Sequence, residues 1–136
     1  MSWQSNIFWL NEKIILAIHD DQLAVHGGRS GIRDYNLLLA SLDRPKNLLA
    51  YGEPTPNIFD LAAAYAFGFT NNHAFIDGNK RVGFVAAATF LELNGYSFDV
   101  PEVEVVFTFE RLADKKETQE SIGIWFKNNS IENSTE

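Results

Sequence analysis

The chain has 136 residues and no cysteine, and 18 acidic residues against 11 basic ones give it a formal charge of −7. That length suits one domain, 1–136, with a single core. The acidic balance argues against a general binder of nucleic acid or of an anionic membrane. The missing thiols exclude disulfides, thiolate catalysis and cysteine zinc sites. The opening stretch MSWQSNIFWLNEKIILAIH has no basic leader, and Glu12 and Lys13 interrupt its apolar run. Neither a signal peptide nor a membrane span is expected, and the expected location is the cytoplasm.

In chain order, residues 11–26 place Ile14, Ile15, Ile18, Leu23 and Val25 at helical spacing, and Gly27-Gly28 supplies a stop. His19 and His26 read as structural or solvated. Asp34 is an N-cap for a short helix, YNLLLASLD, which Arg44-Pro45 is expected to end. Residues 45–57 hold three of the four prolines and read as a surface loop or, over Asn47-Leu48-Leu49-Ala50, as an exposed strand edge.

Two apolar stretches follow, IFDLAAAYAFGF and VGFVAAATFLEL, each with one charge. A helix apolar on nearly every face is buried from several sides, so these two form the expected centre of the molecule. Asn57 caps the first, and Asn94-Gly95 stops the second. Tyr96-Ser97-Phe98 is a short link. Pro101 opens a helix with Val103, Val106, Phe107 and Leu112 as its core set. Thr118 caps a last helix carrying Ile122, Trp125 and Phe126 inward. The polar tail from about residue 128 is expected to fray. The whole reads as all-α, with one small hairpin at most.

Between the buried helices lies His73-Ala74-Phe75-Ile76-Asp77-Gly78-Asn79-Lys80-Arg81, an unusual density of polar chemistry at the mouth of a core. Gly78, Asn79, Lys80 and Arg81 fall in the first turn of the second helix. There, unpaired N–H groups and the positive end of the dipole make an anion seat. Gly78 lets a ligand oxygen approach the backbone, Lys80 and Arg81 add charge, and Asn79 adds an amide donor. A polyphosphate matches this set. Asp77 is either the N-cap of that helix, bonded to the amides of Asn79 or Lys80, or a ligand for Mg²⁺ on the phosphates. His73 is either a general base, with an ordinary pKa of about 6.5, or a loop-steadying residue bonded to a carbonyl. Phe75 and Ile76 are expected to point into the core.

The run HAFIDGNKR resembles the motif of the Fic/Doc family, His-x-Phe-x-Asp/Glu-Gly/Ala-Asn-Gly/Lys-Arg, without a gap from His73 to Arg81. Weaker similarity covers roughly residues 14–96, through IHDDQLAVHGG, GIRD, RPKN and FLELNGY. The resemblance implies an all-α domain with a central buried helix pair and a β-hairpin flap, which would fall at residues 46–52 with Asn47, Leu48, Leu49 and Ala50 meeting the target. It also implies His73 as the base that deprotonates a target hydroxyl, Asp77 as the Mg²⁺ ligand, and Gly78, Asn79, Lys80 and Arg81 as the ATP phosphate site.

Typical adenylyltransferases of the family have Gly where this chain has Lys80 and a second Arg where it has Phe84. Lys80 with an apolar residue three positions after Arg81 is similar to the death-on-curing (Doc) branch. That branch implies a toxin held by an antitoxin, transferring the γ-phosphoryl of ATP to a Ser or Thr hydroxyl of a protein such as elongation factor Tu. Adenylyl transfer and a non-catalytic nucleotide- or partner-binding module are the alternatives.

Overall fold

The computed structural model describes residues 3–134. A 3-10 turn at Trp3–Asn6 leads into α1 (Glu12–His26), α2 (Tyr35–Tyr51), α3 (Ile58–Asn72) and α4 (Asn79–Leu93). After β1 (Tyr96–Phe98) come α5 (Glu102–Ala113), α6 (Gln119–Asn128) and β2 (Ser130–Glu132). The fold is all-α apart from this one small antiparallel sheet. None of the described helices is long and apolar enough to cross a membrane.

Helix α3 lies at the centre, packed against α2, α4, α5 and α6. Its side chains from Leu61 to Ala66 are fully buried, as are Val82, Ala86, Ala87, Phe90 and Leu91 of α4. The central buried pair expected from the sequence is therefore present. Small residues let the two helices approach closely: a Cβ on Gly83 would lie 3.0 Å from the Ala66 carbonyl and would collide with the Thr70 hydroxyl. Both start signals predicted for α3 and α6 are made in full. Asn57 and Asp60 exchange side-chain and backbone bonds, as do Thr118 and Ser121, so each helix opens on a closed capping box.

Helix α4 is fastened at both ends by an asparagine. At its C-cap, Asn94 Oδ1 accepts from Phe8 N (2.9 Å) and Asn94 Nδ2 donates to Phe8 O (3.0 Å), pinning the N-terminal segment. Asn79 makes the equivalent pair at the other end, described below.

Several sequence expectations are corrected here. Helix α2 does not end at Arg44 but runs through Pro45 to Tyr51, so Asn47, Leu48, Leu49 and Ala50 are helical and no hairpin flap exists at 46–52. Proline in a helix interior costs about 3 kcal/mol. Burial of Pro45 and the packing of Leu48 and Leu49 on the core offset it. Strand addition at these residues is lost, because their main-chain groups lie inside a helix.

The small sheet forms elsewhere: β1 pairs antiparallel with β2, joining Tyr96 to Glu132 and Phe98 to Ser130. The tail expected to fray is thus a strand as far as Glu132, closed by Asn133 N to Gly95 O at 2.8 Å. In α5 the core set is Phe109 and Leu112 with Val105 beside them. Val103, Val106 and Phe107 are exposed, because EVEVVF is apolar on two helical faces and only packing selects one. Val25 is also exposed; on α1 the buried positions are Ile15 and His19.

Gly83→Ala is expected to lose about 1–3 kcal/mol by forcing α3 and α4 apart. Urea unfolding checks this, and an unchanged midpoint would mean that the crossing tolerates the extra methyl.

Candidate active site

The connector between α3 and α4 starts at His73, which caps α3 in the left-handed conformation (φ 52°, ψ 50°). That region costs an L-residue roughly 1–2 kcal/mol, with histidine among the side chains that enter it more readily. His73 is exposed, and its imidazole makes no hydrogen bond to any described residue. The loop-steadying role considered for it belongs instead to His19. That ring is buried, stacks on Phe75 with centroids 3.9 Å apart, and bonds the Asp77 carbonyl through Nε2 at 3.0 Å. A carbonyl only accepts, so Nε2 of His19 carries the proton.

Phe75 is buried as expected. Ile76 is not: it is 43% exposed, and its Cδ1 lies where a Cβ on Gly31 would need to sit. Asn79 is buried and spends its side chain on the loop, with Oδ1 accepting from Phe75 N (3.0 Å) and Nδ2 donating to Phe75 O (2.9 Å). The side-chain amide expected to donate to a ligand oxygen instead holds the connector closed, leaving the backbone N–H of Asn79 for any ligand.

Asp77 does not cap α4 through the amides of Asn79 or Lys80. The N-cap is Gly78, in a left-handed conformation (φ 80°) with no side-chain cap bond. The Asp77 carboxylate instead accepts from Gly78 N at 2.9 Å and from Arg29 N at 3.2 Å. Those amides, Arg29 first and then Gly78, and the charges of Arg81 and Arg29 hold its carboxyl below the usual carboxylate range. The group is exposed and ionised at neutral pH. Two amides leave lone pairs on both oxygens.

Beyond Gly78, the N–H groups of Asn79, Lys80 and Arg81 have no acceptor among the described residues. Arg81 reaches the Gly27 carbonyl through Nη2 at 3.4 Å, while its buried Nε has no partner there. A buried guanidinium donor left open beside a helix N-terminus is suited to an oxyanion. Lys80 and Arg81 line a groove of about 510 Å³ together with Phe84, Val85, Val105 and Phe109. Phe84, in the position of a second arginine, packs edge-on against Phe98 and Phe109, so this face of α4 is apolar beyond its first turn.

The segment that covers the connector is 27–34, between α1 and α2; the sequence assigned it a helix stop at Gly27-Gly28 and a cap at Asp34, both present, but no contact with the site. Its signal was GGRSGIRD, three glycines and two arginines directly after a helix. Ile32 forms an antiparallel bridge with Phe75, Ile76 N donates to Gly31 O, and Arg33 N and Asp34 N both donate to Ala74 O. Gly28 is required where the chain passes Asp77: its φ is 122° and a Cβ would lie 3.0 Å from Asp77 Oδ2. No hydrogen bond joins residues 47–50 to the connector among the described residues.

A family model described as the Fic/DOC family matches residues 9–91, well over half of the chain and the whole of this connector. The chain belongs to the Fic/DOC family. Among known proteins it is 42% identical over 82 residues to the "Toxin Doc" of Mycolicibacterium smegmatis (strain ATCC 700084 / mc(2)155), a match covering 57% of this chain and 63% of that protein. It is 34% identical over 90 residues to the "Protein kinase doc" of Escherichia phage P1, covering 65% of this chain and 71% of that one. The chain thus spans just under two thirds of the mycobacterial relative. Both relatives bear the Doc name, in agreement with the branch indicated by Lys80 and Phe84.

A linkage experiment tests the Asp77 geometry. Its folded pKa lies below the unfolded value of about 3.9, so its bonds add stability above that pH and lose it as pH falls through the folded value. Asp77→Asn is therefore expected to be less stable than the parent at pH 7, with the gap narrowing in acid. Urea curves across that range check this, and a gap of constant size would refute it.

Proposed function

We propose that this Fic/DOC protein is a Doc-type toxin that transfers the γ-phosphoryl group of ATP to a hydroxyl of a target protein. The observation that carries this reading is the two-sided connector. Before Asp77 in the chain comes an imidazole with no hydrogen-bond partner among the described residues, and after it the opening turn of α4, whose amides are unpaired among those residues, with Lys80 and Arg81. The name of the phage relative supports the kinase over the nucleotidyl alternative, as does Lys80 in place of the adenylyltransferase glycine.

In this mechanism His73 takes the proton of the target hydroxyl as its oxygen bonds to the γ-phosphorus and the bond to the β-bridging oxygen breaks, releasing ADP. The amides of residues 78–81, Lys80 and Arg81 hold the phosphate charge, and positioning with electrostatic stabilisation supplies most of the rate. Asp77 would be the residue to hold a magnesium ion, which would supply positive charge to offset that of the phosphates. The connector offers one ionised carboxylate with spare lone pairs, and no cluster of three or more His, Asp or Glu able to cage a metal occurs among the described residues. By resemblance the target is a Ser or Thr of elongation factor Tu, its modification blocks translation in the cytoplasm, and a cognate antitoxin restrains the protein.

ATP labelled at the α or the γ phosphorus, incubated with the protein and elongation factor Tu, separates the readings. Label is expected on the factor from the γ position only; retention from the α position alone would show nucleotidyl transfer. His73→Ala is expected to slow labelling by about 10²–10⁴-fold. Growth inhibition that survives both His73→Ala and Asp77→Ala would indicate a binding module without chemistry.

A further inference from the structure

Helix α3 ends in an unusual way. At the ends of α1, α2 and α4 the capping residue returns its own N–H to a carbonyl of the last turn. At α3 the cap is His73, and no such return bond is made among the described residues. The carbonyls left open there are taken by a side chain from another element. Arg33 donates from Nε to His73 O at 2.6 Å and from Nη2 to Asn72 O at 3.1 Å. Its own backbone N–H donates to Ala74 O at 2.8 Å, so a single residue holds three consecutive carbonyls, 72, 73 and 74.

We propose that Arg33 is a positioning residue for His73: its guanidinium holds the backbone of the proposed base in the left-handed conformation that turns the imidazole out of the core. The imidazole has no hydrogen-bond partner among the described residues, so its direction follows from the backbone that carries it. A left-handed histidine persists only where surrounding bonds determine it. The guanidinium suits the task. Its planar fork reaches two neighbouring carbonyls at once, and its charge lies at the negative end of the α3 dipole. Although Arg33 is exposed, little freedom is lost in placing it. The amides of Arg33 and Asp34 are already fixed on Ala74 O, and Asp34 is anchored as the cap of α2, accepting from Leu37 N at 3.0 Å.

The consequence for turnover rests on the phosphotransfer reading; the conformational claim does not. The full chain has three histidines, His19, His26 and His73, so histidine labelled with ¹³C and ¹⁵N gives a spectrum that single variants assign. In Arg33→Gln the His73 Cα shift and its HN–Hα coupling are expected to leave their left-handed values, while the buried His19 resonances stay and report an intact fold. Turnover is expected to fall about 10- to 100-fold with the KM for ATP within about twofold, because misplacing a reacting group by about 1 Å costs rate on that scale. Arg33→Lys, which cannot bridge both carbonyls, is expected to lie between.

His73 resonances in Arg33→Gln that superimpose on the parent's would overturn the proposal. If that variant does not fold, a parental His73 spectrum with parental turnover in Arg33→Lys overturns it equally. Displaced His73 resonances in a protein whose parent transfers no phosphoryl group would uphold the positioning role and reject the enzymatic reading.

Discussion

Asn79 pairs with Phe75, four positions earlier in the chain, much as a neighbouring strand would, accepting from its N–H and donating to its carbonyl inside the core. A buried backbone pair needs partners, and an unsatisfied buried group costs about 1–3 kcal/mol. The asparagine supplies both partners without requiring helix or sheet. The connector can therefore leave α3, cross the mouth of the core and re-enter as α4 while its middle residue stays buried. The rest of the site follows from this closure. Phe75, held in place, offers its ring to His19 and its backbone to Ile32. The polar residues on either side are left facing outward.

The same device at the far end of α4 shows how the helix is kept in register. Asn94 pairs with Phe8 as Asn79 pairs with Phe75. Between these two points α4 presses against α3 closely enough that Gly83 has no room for a methyl. A helix fixed at both ends and along one side delivers its first turn to a defined place. The phosphate seat proposed above, made of backbone amides, would require that, because the amides have no side-chain freedom with which to correct an error.

Electrostatics then divide the connector. The Asp77 carboxylate, tied to the amides of Arg29 and Gly78, stays charged and fixed between the exposed His73 on one side and the cations Lys80 and Arg81 on the other. In an acidic chain those two cations beside an open helix terminus are a local inversion of sign, and the buried Nε of Arg81, without a partner among the described residues, is a donor that the proposed phosphate site could use.

What the residues alone determined was local or periodic. The two near-chargeless stretches identified the buried pair, Asn57 and Thr118 named their own helix starts, and HAFIDGNKR identified the family because its spacing is contiguous in the chain. What only the tertiary structure decided was every choice between two locally acceptable outcomes. Pro45 stays inside a helix because the core rewards Leu48 and Leu49. The tail becomes a strand because Tyr96–Phe98 offers an edge, and α5 buries Phe109 while Phe107 stays exposed. Local propensity carries no information about a partner tens of residues away, so the sequence read Asn79 as a ligand donor and, in the loop from Gly27 to Asp34, saw only a helix stop and a helix cap. The contacts of that loop with Ala74, Phe75 and Asp77 exist only once α1 and α2 have packed beside the connector.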